Sequence, residues 1–240
     1  MNIKRLFRRK QKDPHCSAVI VAAGSSLRMG ADKLLMSLGS KPVIIRTLMA
    51  FEKSPQVDEI IVVTRPEKIQ YFADMIKLYD IGKVRQVISG GATRMESSLA
   101  GVSAVSRGAK LIAIHDGARP LVTQELIKRV VEAANEFISA VPAVASADTL
   151  KQIDEKGLII GSVDRSSVVR IQTPQVFDAD VIRGALTRAV EKRLNITDDC
   201  SAMDMMGVKT HVVDGDNENI KLTNPEDMVI AEAILKNRGE

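Results

Sequence analysis

Two cations five residues apart, in a loop opened by glycine, are the first chemical feature of this sequence. Arg28 and Lys33 follow the apolar run Ala18-Val19-Ile20-Val21-Ala22-Ala23 and the break Gly24-Ser25-Ser26. A strand that opens into small residues presents backbone N–H groups to anionic oxygens. An arginine beside such a loop can fork onto two phosphate oxygens, and a lysine acts as a point charge. Two familiar nucleotide signatures fail here. Lys33 is not adjacent to Gly30, as a GxxxxGK[ST] loop requires, and Ser26 breaks the GxGxxG spacing. The pair of cations therefore suits a triphosphate better than a dinucleotide, with solvated cations on a tight turn as the alternative for the loop taken alone.

A second feature is the stretch Leu111 to Pro120, an apolar strand that ends in Asp116-Gly117-Ala118-Arg119. An aspartate at the carboxyl end of a strand is placed to hold Mg²⁺, which binds through one or two carboxylates plus phosphates. A simple Asp116–Arg119 pair across the turn is the structural alternative. Lys221, within Asn219-Ile220-Lys221-Leu222-Thr223, reads by pattern as part of a short exposed edge strand. Asp164-Arg165 reads as a local ion pair, worth at most about 1 kcal/mol when exposed. His15, His115 and His211 form no nucleophile–base arrangement with a serine or cysteine, and His115 reads as a satisfied strand-end histidine. Cys16 and Cys200 have neither metal-ligand nor CxxC spacing, so a reducing cytoplasm is expected.

These residues need a scaffold, and hydrophobic periodicity supplies one. Strands are expected at Ala18–Ala23, Glu59–Thr64, Val84–Ile88, Leu111–His115 and Ala140–Val144. Helices are expected at Val43–Lys53, Glu67–Leu78, Arg94–Arg107 and Gln124–Glu136, the third opened by a capping box from Thr93 to Glu96 and the fourth by Thr123. This alternation implies an α/β fold, a mostly parallel sheet with helices on both faces and ligand loops at the carboxyl ends of the strands. From Ser146 the pattern changes. Residues 147–153 and 158–163 read as a hairpin around Asp154-Glu155-Lys156-Gly157, projecting from the α/β body. The pattern alone leaves open whether it pairs with a partner chain or packs on its own domain. Helices at Asp178–Arg193, Asp198–Met206 and Pro225–Asn237 and a strand at Lys209–Val213 complete the chain.

Composition bounds the rest. The 240 residues are 45% apolar but only 3% aromatic, with no tryptophan, so the core must be aliphatic. The expected organisation is a basic tail over residues 1–16 and a single domain over residues 17–240, with the arm at about 146–172. Residues 1–15 carry six lysines and arginines against one aspartate, so the tail contributes +5 to the net charge of +4 and the domain −1. A basic tail of this kind can touch nucleic acid or an anionic membrane, but a solvated extension is the reading adopted, and no nucleic-acid partner is expected. No apolar run approaches the ~18 residues of a membrane span, and no apolar segment follows the basic start as in a secretory signal. No membrane insertion is expected.

The set VAAGSSLRMGADK, SGGATRMESS, IHDGARP, DTLKQ, VDRSSVVRIQTPQVF, ITDDCSAM and DNENIKLTNPED resembles, in order, the 2-C-methyl-D-erythritol 4-phosphate cytidylyltransferase family. The likeness spans Ala18 to about Ala233, and the close relatives of that family use ribitol 5-phosphate. It implies a Rossmann-like nucleotidyltransferase sheet and transfer of CMP from CTP to a polyol phosphate with release of pyrophosphate. Carried over residue by residue, Arg28, Lys33 and Lys221 would be catalytic. Ala22, Ala23, Gly24, Gly90, Gly91, Ser97 and Asp116 would hold CTP, with Asp116 binding Mg²⁺. Arg119, Thr149, Arg165 and Thr197 would receive the acceptor, Thr149 and Arg165 reaching a neighbour's site across a homodimer formed by the hairpin arm. Departures from the family pattern are Ser26 where glycine is frequent, a shorter Arg28–Lys33 segment, Ala92 where aspartate is frequent and Asp199 where glutamate is common. Ala92 removes one expected contact to the nucleotide.

Overall fold

The computed structural model describes residues 16–24, 32–194 and 196–240. The basic tail, Arg28 and the rest of its loop lie outside the described residues. The strands are β1 (Cys16–Val21), β2 (Ser37–Leu38), β3 (Lys41–Pro42), β4 (Glu59–Thr64), β5 (Val84–Ser89), β6 (Leu111–Asp116), β7 (Ser139–Ala145), β8 (Lys151–Ile153), β9 (Ile159–Ser162), β10 (Val169–Ile171), β11 (Gln175–Asp178) and β12 (His211–Asp214). The helices are α1 (Val43–Lys53), α2 (Ile69–Leu78), α3 (Arg94–Ala104), α4 (Gln124–Phe137), α5 (Ala179–Glu191), α6 (Cys200–Met205) and α7 (Pro225–Asn237).

The main sheet runs β10-β7-β11-β6-β1-β4-β5, with β12 alongside β7. β1 pairs in parallel with both β4 and β6, and β4 with β5. β1, β4 and β6 are short apolar runs without polar alternation because both their faces are covered. Side-chain alternation divides them between two cores. Ala18, Ile20, Ile60, Val62 and Ala113 point to one face, where α1, α4 and α7 bring Leu48, Phe51, Ile127 and Leu235. Val19, Ile61, Val63, Ile112 and Ile114 point to the other, against Val102 of α3, Ile182 and Leu186 of α5 and Met203 of α6. Helices on both faces are thus observed, as expected.

β1 is the turning point of the sheet. The chain runs outward from β1 to β4 and β5, then returns through α3 to β6 on the other side of β1. Such a reversal opens a crevice at the carboxyl ends of the strands. α3 lies close enough to the sheet there that a Cβ on Gly101 would fall 2.3 Å from Val19 Cγ1 and 2.8 Å from Val63 Cγ2. Its start has the expected capping box: Glu96 N–H donates to Thr93 Oγ1 at 3.1 Å and Thr93 N–H to Glu96 Oε2 at 3.0 Å.

Four segments differ from the periodicity reading. β10 and β11, both antiparallel, come from Val168-Val169-Arg170-Ile171-Gln172-Thr173-Pro174-Gln175-Val176-Phe177, a stretch to which the periodicity assigns no strand. They are too short for alternation to show. The hairpin pairs only Lys151–Ile153 with Ile159–Ser162, so Ala147 to Leu150 are not strand. Residues 217–223 form no strand, and Leu222 N–H instead donates to Ala118 O at 2.9 Å. The hairpin does project: Ile153, Leu158, Ile159 and Ile160 are each more than 60% exposed.

Gly101→Ala is expected to lower the urea-unfolding free energy by about 1–3 kcal/mol through overpacking of α3 on the sheet, with Gly101→Val costing more. A neutral Gly101→Ala would show that the helix can withdraw without loss.

Candidate active site

A cavity of about 570 Å³ opens at the carboxyl ends of β1 and β6. Ala22, Ala23 and Gly24 form its edge after β1, Asp116 its floor at the end of β6, and Lys33 and Lys221 face it from loops far apart in sequence. Gly91 and Ser97 close the side towards α3. A second cavity of about 490 Å³, between α1, the start of α4 and the end of α7, contains none of the expected site residues.

The backbone around the cavity is held flush. Ala22 N–H donates to Val63 O at 2.7 Å, and Gly90 N–H to Thr64 O at 2.8 Å. Ser97 is buried, its hydroxyl donating to Thr93 O at 2.9 Å and accepting from Gly91 N–H at 3.2 Å. A Cβ on Gly90 would lie 2.6 Å from Ser97 Oγ and 2.8 Å from Ala23 Cβ. Glycine is therefore required where the two walls meet, because Ser97 and Ala23 already fill the space a side chain would need.

Asp116 is the electrostatic centre. Lys221 Nζ lies 2.8 Å from Oδ2, Arg94 Nη2 3.3 Å from Oδ1, and Arg119 Nε 3.9 Å from Oδ2. Burial pushes the carboxyl upward, but the charges of Arg94 and Lys221 outweigh it and hold the group well below the usual carboxylate range. Arg94 is shared. Its Nη2 also meets Asp199 Oδ2 at 2.7 Å, and the Asp199 side chain is only 1% exposed. Burial would lower the Arg94 guanidinium, yet Asp199 and Asp116 together raise it above its ordinary value.

Behind Asp116 sits His115, wholly buried. Its Nε2 faces Arg119 O at 3.1 Å, and since a carbonyl only accepts, Nε2 carries the proton. Nδ1 then accepts from Thr173 Oγ1 at 3.0 Å, and the same oxygen accepts from Asp116 N–H at 3.1 Å. Burial lowers the imidazole to about 4. This satisfied, neutral histidine is the role expected from sequence. It fixes the strand end that carries Asp116.

The expected residues divide into two groups. Ala22, Ala23, Gly24, Lys33, Gly91, Ser97, Asp116 and Lys221 converge on the cavity, with Gly90 directly behind Ser97. Arg119 packs beside Asp116 and donates from Nη1 to Asn219 O at 2.7 Å. Thr149 and Arg165 lie instead on the exposed arm, where Arg165 Nη1 donates to Ala147 O at 3.1 Å. Thr197 is exposed at the loop before α6. Arg94, Asp199, Thr173 and Gln175 carry functional geometry that the motif reading did not assign. One signal for Arg94 was present: a cation at the first residue of a helix opposes the helix dipole, and such a placement calls for a carboxylate partner.

A crevice at a sheet reversal, flush glycines and a buried carboxylate ringed by cations are the features of a nucleotidyltransferase site. The comparisons specify it further. The profile of the 2-C-methyl-D-erythritol 4-phosphate cytidylyltransferase (IspD) family matches residues 16–237. The enzyme of that name from Caldanaerobacter subterraneus subsp. tengcongensis is 41% identical over 223 residues, 92% of this chain and 98% of the relative. The one from Dehalococcoides mccartyi is 41% identical over 220 residues, 91% and 95% of the two chains. Among solved structures, 4-diphosphocytidyl-2C-methyl-D-erythritol synthase from Anaerococcus prevotii superposes with a TM-score of 0.83 at 33% identity, over 92% of this chain and 96% of that one. The Thermus thermophilus cytidylyltransferase does so with a TM-score of 0.74 at 30% identity, over 92% and 98%. The chain belongs to the 2-C-methyl-D-erythritol 4-phosphate cytidylyltransferase family.

The His115 geometry makes stability depend on pH. The unfolded imidazole takes up a proton near pH 6.5 and the folded one only near 4. The folded state is therefore fully favoured above pH 6.5 and loses this contribution as pH falls towards 4. From pH 7 to pH 5 the loss from this group is about 2 kcal/mol. Urea unfolding at the two pH values should show a markedly smaller drop in His115→Gln; an identical drop would mean that the imidazole is not excluded from its charged form.

Proposed function

We propose that this chain transfers CMP from CTP to 2-C-methyl-D-erythritol 4-phosphate, giving 4-diphosphocytidyl-2-C-methyl-D-erythritol and pyrophosphate. The observation that carries the proposal is the convergence of Lys33, Lys221 and Asp116 on one cavity walled by Gly91 and Ser97. The relatives are named for this acceptor, which favours it over ribitol 5-phosphate.

The chemistry follows from charge. The acceptor's phosphate monoester has a second pKa of about 6 and is largely dianionic at neutral pH, so no general base is needed. An oxygen of that phosphate forms a bond to the α-phosphorus of CTP as the bond to the bridging α–β oxygen breaks, and the electron pair leaves with pyrophosphate. The obstacle is repulsion between anions, which positioned cations relieve. Lys33 and Lys221, with Arg28, are assigned to the triphosphate. Gly90, Gly91 and Ser97 are assigned to cytosine and ribose, where the flush backbone admits a flat group. His115 takes no part as a base, because both of its nitrogens are engaged.

Asp116 fits a magnesium ion. It is a single carboxylate at a strand end, held ionised and open to the cavity, and Mg²⁺ needs only one or two protein carboxylates where phosphates supply the remaining oxygens. Among the described residues no cluster of three or more histidine, cysteine, aspartate or glutamate side chains forms an all-protein metal cage. When bound, the ion would neutralise phosphate charge. Lys221, 40% exposed, is the partner of Asp116 best able to swing from the carboxylate to a phosphate.

The acceptor's own phosphate is assigned to Arg119, Thr197, Thr149 and Arg165, the last two from a second subunit. The exposed isoleucines of the β8–β9 arm are the apolar surface such a homodimer would cover. Among the described residues no helix is long and apolar enough to cross a membrane.

With CTP, Mg²⁺ and 2-C-methyl-D-erythritol 4-phosphate, pyrophosphate release is expected, and a clear preference for ribitol 5-phosphate or for another nucleoside triphosphate would overturn the assignment. Lys221→Ala should reduce kcat about a hundredfold. Arg165→Ala should raise the acceptor KM and leave CTP binding intact. If arms serve neighbouring sites, mixing equal amounts of the two variants after subunit exchange should recover about a quarter of wild-type activity, through mixed dimers with one intact site. Recovery of nothing would place Arg165 in its own subunit's site or outside the chemistry.

A further inference from the structure

The site's polar contacts close on themselves. Asp116 N–H donates to Thr173 Oγ1 at 3.1 Å, and two residues on, Gln175 leads into β11. The Gln175 amide then holds the loop before α6. Its Oε1 accepts from Asp199 N–H at 3.1 Å and Cys200 N–H at 3.0 Å, and its Nε2 donates to Asp198 Oδ2 at 3.1 Å. Asp199 returns the connection to Arg94 at 2.7 Å, and Arg94 to Asp116 at 3.3 Å. Four elements, α3, β6, β11 and the α6 loop, are joined in one ring.

Within this ring the Asp199 carboxylate is buried, and among the described residues Arg94 is the only partner of its oxygens. Arg94 in turn lines the cavity beside Asp116. Thr197, assigned to the acceptor, lies two residues before Asp199 in the loop that the ring holds.

We propose that Arg94 and Asp199 are positioning residues that couple the two substrates. Occupation of the cavity by CTP fixes Arg94, Arg94 fixes Asp199, and the loop bearing Thr197 is thereby ordered for the second phosphate. The proposal rests on the functional reading above for the identity of the acceptor, but its central contact is independent of that reading. The coupling is a free energy between sites and must be reciprocal.

Asp199→Asn keeps the side chain's shape and removes its charge. Arg94→Gln removes the bridge from the other side, and Arg94→Lys keeps the charge but loses the fork. Acceptor KM, CTP affinity by calorimetry and amide exchange over residues 196–202 with and without CTP would be measured for each variant and for Arg94→Gln/Asp199→Asn. CTP should slow exchange of this segment in the wild type and fail to do so in Asp199→Asn. That variant should show an acceptor KM raised about tenfold or more with CTP affinity within about twofold of wild type. The double variant should be no worse in acceptor KM than Arg94→Gln, because the two act through one contact. An unchanged acceptor KM in folded Asp199→Asn, or multiplicative effects in the double variant, would overturn the coupling. Should Asp199→Asn not fold, Arg94→Lys decides: a raised acceptor KM supports the proposal and an unchanged one defeats it. Absence of turnover by the wild type with this acceptor would refute the functional reading instead, and the CTP-dependent exchange would still judge the ring.

Discussion

A single ionised carboxylate in a buried setting governs this molecule. Asp116 stays charged only because Arg94, Lys221 and Arg119 stand around it. Removing a carboxylate from water is costly unless opposite charge is brought to it, and removing one partner of a buried pair leaves a charge that nothing offsets. The protein brings Arg119 from three residues on and the other two from distant stretches of the chain. Each must be held by other structure: Arg94 by the capped start of α3, Arg119 by Asn219, Lys221 by the backbone bond from Leu222 to Ala118. The requirements of one side chain thus explain much of the loop architecture at this end of the sheet.

The sheet supplies the place and β11 supplies the reach. The parallel strands β1, β4 and β6 all end on the same side, so their loops meet at the reversal of strand order. β11 runs the opposite way beside β6, with Gln175 opposite Ile114 and Asp178 opposite Leu111. Residues just before it therefore arrive at the carboxyl end of β6. An antiparallel insertion in an otherwise parallel centre lets Thr173 and Gln175 touch the strand-end aspartate and the α6 loop together. A parallel strand in that position would have delivered its amino end to the opposite rim.

Much of this was readable from residue pattern. Continuous β-branched runs such as Glu59–Thr64 can only be strands covered on both faces, and the apolar spacing of Val43–Lys53 and Pro225–Asn237 set those helices to the residue. The capping box at Thr93 and the strand-end aspartate were visible for the same reason: each is a local device with its partners a few residues away. β10 and β11 were not visible, because segments of three and four residues give periodicity nothing to repeat. Arg94 and Asp199 were missed because each acquires meaning only from the other, across a separation no local rule spans. Lys221 reads as edge strand from its flanking residues and as a site residue only through the family resemblance, because the carboxylate it pairs with lies more than a hundred positions earlier. The hairpin's existence was legible, and its reduced pairing reflects turn geometry that alternation does not encode.

The bond from Leu222 to Ala118 has a consequence for biosynthesis. The cavity's walls come from early segments, its floor from the middle and its last cation from near position 221, so translation delivers the catalytic parts in instalments. A nascent chain of the first two hundred residues carries Asp116 without the lysine that pairs with it. The buried carboxylate gains that partner only once the segment around position 222 has threaded back to Ala118.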